Sequence, residues 1–170
     1  MDVLEAVKTR RSIRKYDPKP VEEEKLTNIL EAARLSPTAA NRQPVEIIVV
    51  KDQATKQRLI QAYKREWFTN APIILATCAN PQKAWKRADG EEYWKVDAAI
   101  AMQTMVLVAT AQGLGTCWIA GFDEKKAKEI LGIPENIRVV SLTPLGYPAE
   151  TKTQVEERKP LEQLIHHDHW

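Results

Sequence analysis

Apolar positions along the chain switch between helical spacing and short continuous runs, and these switches define most of the elements. Val3, Leu4 and Val7 share one face at helical spacing, which predicts a short amphipathic helix over residues 2–9. Pro18 and Pro20 then break the chain. Glu22, Glu23 and Glu24 open a second helix with the stripe Leu26, Ile29, Leu30 and Ala33, its acidic first turn complementing the helix dipole. It ends at Ser36-Pro37, where residues 36–44 form a loop of small and amide side chains between two prolines. Residues 45–50, rich in β-branched side chains, read as a largely buried strand, and 71–78 as another. Between them, 53–66 reads as a charged surface helix.

The pattern dissolves over 80–92, a candidate mobile lid in which Trp85, with Tyr93 and Trp94 beside it, either lines a pocket or covers apolar surface. Tyr93 to Gln112 is the longest helical segment and is apolar on nearly all sides from Ala98 onward, so it is either central or shared with a partner. Residues 115–122 suggest a short strand entering a turn, Asp123 caps a helix through Leu131, a last strand covers 138–145, and Gly146-Tyr147-Pro148 turns. At 170 residues without repeats or a low-complexity linker, the expectation is one domain over 1–170 with a C-terminal extension from about 149.

Charge adds one local feature. Arg10, Arg11, Arg14 and Lys15 place four cations in six positions, with Ser12 among them. Guanidinium groups fork onto phosphate oxygens and a serine hydroxyl adds a neutral donor, so the run reads as an anion grip or as a solvated basic surface. The whole chain carries only +2, and without these four the 25 basic residues fall to 21 against 23 acidic ones. Nucleic-acid binding through the backbone favours cations spread along a face, so a single small anion is the better match.

Other chemistries recede. Cys78 and Cys117 have neither disulfide-scaffold nor metal-ligand spacing and read as reduced and buried. All three histidines fall in the stretch His166-His167-Asp168-His169, which reads as a solvated tail and disfavours Ser-His or Cys-His hydrolysis. No secretion signal is expected, and the tract 98–111 is shorter than the roughly 20 apolar residues a membrane span needs. These readings point to a cytoplasmic protein. Gly113 and Gly115 begin a GxG, but Trp118 spoils the dinucleotide fingerprint, and no GxxxxGK[ST] loop occurs.

Five segments in order carry a resemblance: Arg10-Arg11-Ser12-Ile13-Arg14-Lys15-Tyr16, the loop 36–44, the block 113–122, Leu145-Gly146-Tyr147-Pro148, and Arg158-Lys159-Pro160-Leu161-Glu162. Together they resemble the nitroreductase family across nearly the whole chain. The resemblance implies an α+β, three-layer α/β/α fold around a mainly antiparallel sheet. It also implies a homodimer with FMN at the subunit interface, NAD(P)H as donor, and a nitroaromatic, quinone or similar electron-poor acceptor.

By the same resemblance, Arg10, Arg11 and Ser12 hold the phosphate and ribityl end of FMN, with Arg158 also at the phosphate. Arg14 reaches the pyrimidine edge, and Pro37, Thr38, Ala39 and Asn41 complete the site from the other subunit. Ile119, Ala120 and Gly121 lie against the ring and direct a backbone N–H at N5, so that no catalytic side chain, metal, nucleic acid or membrane is implied. Val45 stands where an aromatic is common, Ala120 where some members carry an acid, and 80–92 leaves little room for extra covering helices. Two alternatives stand beside this reading: a family branch doing reductive dehalogenation or flavin breakdown, and a non-catalytic anion-binding or nucleic-acid-binding protein.

Overall fold

The computed structural model describes residues 1–153, 155 and 157–170. Its elements are α1 (Val3–Thr9), α2 (Glu23–Leu35), β1 (Val45–Val50), α3 (Gln53–Arg58), α4 (Glu66–Thr69), β2 (Ile73–Ala79), α5 (Trp94–Ala111), β3 (Gly115–Thr116), α6 (Glu124–Leu131) and β4 (Arg138–Gly146). The strands form one antiparallel sheet in the order β1-β2-β4-β3.

Alternation along β2 sorts the core into two layers. Ile73 and Leu75 face α2 and α5, packing with Leu26, Ile29, Met102, Met105 and Ala109. Ile74, Ala76 and Cys78 face the opposite side, against Leu59, Phe68, Cys117 and Ile137. The result is the expected three-layer α+β fold, with helices on both faces of the sheet.

A register shift at Thr77/Cys78 makes β4 bulge, pairing Thr77 with Ser141 but Cys78 with Val139. One extra residue reverses the facing of everything beyond it, so Val139 and Leu142 both enter the second layer.

Two expected elements are cut short. Residues 53–66 do not form one surface helix: α3 stops at Arg58, a 3-10 turn covers Leu59–Gln61, and α4 starts only at Glu66. Bending the chain buries Leu59 and Phe68 together and sets Tyr63, Trp67 and Phe68 edge to face. Lys56, read as a surface charge, is buried as well, and its ammonium donates to the carbonyls of Ala71 (2.8 Å) and Pro72 (3.0 Å). The strand expected over 115–122 pairs only at Gly115 and Thr116, then touches β4 again through a single bridge, Ile119 to Leu142. Pro144 has no N–H to donate to a carbonyl of the neighbouring strand there, and the Cys117 N–H donates to the Thr143 hydroxyl (3.2 Å).

Segment 80–92 is a turn closed by a Lys86–Glu92 bridge, with Trp85 edge-on to Tyr93 at 5.0 Å. The apolar face of α1 does not enter this chain's core. Only Ala6 is buried, while Val3 is 75% and Leu4 61% exposed. No helix among the described residues is long and apolar enough to cross a membrane.

Candidate functional site

The basic run begins where α1 ends. Arg10 leaves the helix with extended geometry (φ −53°, ψ 130°), and the next residues lie along β3, an edge strand. Ser12 bridges Thr116 in parallel, and the Ile13 N–H donates to the Thr116 carbonyl at 2.8 Å. Extended pairing alternates side chains, so Ile13 goes into the core and Ser12 and Arg14 share the other side. Close approach depends on Gly115, where a Cβ would sit 2.8 Å from Ile13 Cγ1.

Residues 147–153 strap the run from its far side. The Asp17 N–H donates to the Tyr147 carbonyl, the Ala149 N–H to Lys15 (both 2.9 Å), and the Arg14 N–H to Glu150 Oε1 (2.5 Å). Lys152 Nζ reaches the Ser12 carbonyl at 2.7 Å. The Arg14 N–H holds the Glu150 carboxyl below its ordinary range. Within the run, the Tyr16 hydroxyl donates to the Ile13 carbonyl at 2.6 Å, and burial pushes its pKa well up. Arg11, Ser12 and Arg14 are therefore held by contacts made more than 100 positions away in sequence.

The four site cations differ in what they do. Arg11 turns its guanidinium inward, donating to the carbonyls of Lys8 (2.9 Å), Arg10 (2.5 Å) and Thr153 (2.7 Å). It anchors the strap as much as it offers charge. Arg10 makes no side-chain hydrogen bond or ion pair to another described residue, and Arg14 lies over the Trp67 ring at 5.9 Å. Burial raises the pKa of the Cys117 thiol, an effect opposed by the Arg14 charge and a hydrogen bond with the Ser12 side chain. Arg158 is exposed and donates to the Glu157 carbonyl at 2.9 Å; among the described residues nothing joins it to Arg10 or Arg14.

The 119–121 turn is hung on the sheet by reciprocal bonds between Ile119 and Leu142 (2.9 and 3.0 Å). Ile119 is buried, whereas Ala120 and Gly121 are exposed, leaving their backbone open to a ligand. Gly121 and Phe122 border an open pocket of about 410 Å³ with Tyr63, Lys64, Arg65 and Lys126.

Pro37, Thr38, Ala39 and Asn41 belong to a tight loop at the other end of the molecule. Ala40, Asn41 and Gln43 all have left-handed backbone (φ 51°, 52° and 49°). The Asn41 N–H donates to the Thr38 carbonyl at 2.9 Å, and the Gln43 N–H to the Thr38 hydroxyl at 3.0 Å. The Ala39 N–H donates at 2.9 Å to Oδ1 of Asp97, on the first turn of α5. Asp97 was not singled out by the motifs. Its signal was present, because Lys95 and Asp97 are the only charged side chains in a largely apolar 18-residue helix.

Within one subunit the two halves do not meet. The loop is tied to α5 at Asp97 and the basic run to Gly115 beyond the other end, a separation of about 25 Å along the helix at 1.5 Å per residue.

Fold and placement define the class: a three-layer α+β protein with a basic run docked on its sheet edge and a strained loop one helix length away. The family follows from comparison. The nitroreductase family profile matches residues 7–67 and 60–147, and the chain belongs to that family. An NADH dehydrogenase of Thermus thermophilus is 33% identical, covering 97% of this chain and 95% of its own. The crystal structure of a nitroreductase family protein from Clostridium difficile 630 gives a TM-score of 0.92 at 30% identity over 100% of both chains. An FMN-dependent nitroreductase from Clostridium difficile R20291 gives 0.86 at 31% identity over 98% of this chain and 99% of its own.

Proposed function

We propose that the protein is an FMN-dependent oxidoreductase that takes hydride from NAD(P)H and delivers it to an electron-poor acceptor such as a nitroaromatic or quinone. It works as a homodimer with two shared flavin sites. The observation that carries this reading is the split site: the basic run and the 38–43 loop are built for close ligand approach, yet sit at opposite ends of α5. A second copy brings the loop of one subunit to the grip of the other. The exposed Val3, Leu4 and Val7 of α1 supply an apolar face for that association.

The donor set fits FMN. Arg10 and the Ser12 hydroxyl offer donors to a phosphate and a ribityl chain, while Arg14, two positions along an extended strand, serves the ring end. Arg11 would act chiefly by holding the run against the strap. Arg158 would join the phosphate only through a rearranged or partner C-terminal segment.

Bound FMN supplies the hydride-accepting N5 and the electron pair returned to the acceptor. Arg14 places positive charge at the pyrimidine edge, where negative charge collects on reduction. The exposed backbone of Ala120 and Gly121 offers an N–H to orient the reacting edge, and the Ile119–Leu142 bridge keeps that turn in place. Pro37, Thr38, Ala39 and Asn41 close the site from the partner. The donor and acceptor use the same open side in turn, a ping-pong order.

The test is direct. Purified protein loaded with FMN should show a yellow band that bleaches under NAD(P)H without oxygen, and initial-rate plots at several donor concentrations should be parallel. Arg10→Ala/Arg14→Ala should lose FMN retention. A wild-type protein that cannot be loaded with FMN removes the reading, and intersecting plots remove the ping-pong order.

A further inference from the structure

Asp97 is 1% exposed and lies in the first turn of α5, with Ala98, Ala101 and Met102 buried on the same helix face. Oδ1 accepts the Ala39 N–H, but Oδ2 is buried with no hydrogen-bond partner among the described residues. A carboxylate in such a place is costly unless the geometry it imposes is needed.

What it imposes is the shape of the 38–43 loop. Three non-glycine residues there have left-handed backbone, and such strain persists only where surroundings fix it. The loop's backbone N–H bonds return to Thr38 or Ala39, Asn41 N–H to the Thr38 carbonyl, Gln43 N–H to its hydroxyl and Arg42 N–H to the Ala39 carbonyl, while the Gln43 side-chain amide donates to the Asn41 carbonyl. None of these ties the loop to the body of the protein. The bond from Ala39 to Asp97 does so, at the residue where the loop begins to turn.

We infer that Asp97 is a positioning residue that holds the 38–43 loop in its flavin-binding conformation. The inference rests on the flavin reading above but assigns a role to a residue outside the contact set.

The test compares FMN dissociation constants, read by quenching of flavin fluorescence, for wild type, Asp97→Ala, Asp97→Asn and Asp97→Glu. Loss of the anchor in Asp97→Ala should weaken FMN binding at least tenfold, and Asp97→Asn, which retains the Oδ1 acceptor, should recover most of it. Asp97→Glu keeps the carboxyl group but displaces its oxygens by one methylene, so it should also weaken binding, and it supplies the test if the alanine variant does not fold. A merely structural role is exposed by Leu59→Ala, a core truncation in the opposite layer, which should lower the melting temperature while leaving FMN affinity unchanged. Wild-type affinity in Asp97→Ala or Asp97→Glu overturns the inference while leaving the flavin reading intact. Wild-type protein that binds no FMN overturns both.

Discussion

Ile13 rests on Gly115 so closely that a single methyl group at residue 115 would lie 2.8 Å from its Cγ1. That contact sets the depth at which the basic run docks on the sheet. Gly115→Ala should cost about 1–3 kcal/mol through overpacking and also weaken FMN retention, because Ser12 and Arg14 ride on the same strand. Combining it with Ile13→Ala frees the space, so the double variant should lose less stability than the two single losses added together. Denaturant titrations of the four proteins measure the coupling, and simple additivity would refute the contact as its cause.

The split site makes a prediction about mixed subunits. An Arg10→Ala/Arg14→Ala chain lacks a working grip but has an intact loop; an Asp97→Ala chain has the reverse. A mixed dimer should contain one intact site and bind one FMN tightly, although neither parent does so. Differently tagged chains, co-expressed and purified through both tags, allow the flavin to be counted. Empty mixed dimers would mean that the loop serves its own subunit.

Acid should loosen the second layer through Glu124. Its carboxylate accepts from Arg138 Nε (2.8 Å) and Nη2 (2.9 Å) and from the Val139 N–H (2.9 Å), and the Arg138 hydrogen bond leads in holding its pKa below the ordinary 4.5. The unfolded chain therefore takes up this proton first as pH falls. Stability from the pair is complete above about pH 4.5 and disappears as pH drops through the folded pKa. Glu124→Gln should be less stable than wild type by about 1 kcal/mol at neutral pH, a value discounted for the half-exposed arginine, and the gap should close as the pH falls from 4.5 through the folded pKa. Urea midpoints across that range read it, and a constant gap would contradict it.

Neither cysteine should react in the native protein. Burial pushes the Cys78 thiol up to about 12 and raises Cys117 as well. At about pH 8 little thiolate exists at either position. Iodoacetamide should label both only after denaturation, as intact-mass spectrometry would show; rapid native labelling of Cys78 would contradict its burial.

Much of the fold was legible because its signals are local. Residues 45–50 form the expected strand, 73–79 and 138–146 match theirs closely, and the long helix was misplaced by only one residue at each end. The failures lie where tertiary contacts override local pattern. Charged positions over 53–66 suggest a surface helix, but Leu59 and Phe68 must both reach the second layer, and a bend brings them there. The strand after Gly115 looks apolar and regular, yet its neighbour contains Pro144.

The candidate site divides in the same way. Clustered cations were visible, but no composition reveals that Arg11 faces three carbonyls while the Arg10 side chain meets no polar partner among the described residues. Asp97 carried a signal, one acid in an apolar helix, but its partner Ala39 lies 58 positions away and has no polar side chain to advertise the bond.

The strap has a consequence for assembly. Arg11, Ser12 and Arg14 leave the ribosome well before Thr153, Lys152 and Glu150, which hold them and come 136 to 142 positions later. Until residues 147–153 have emerged, the basic run lacks one of its two walls. Closing such a long loop is a late and comparatively slow event in folding. On the proposed function, a chain stalled before that point would display its cations without gripping the cofactor, so flavin loading would wait for residues 147–153.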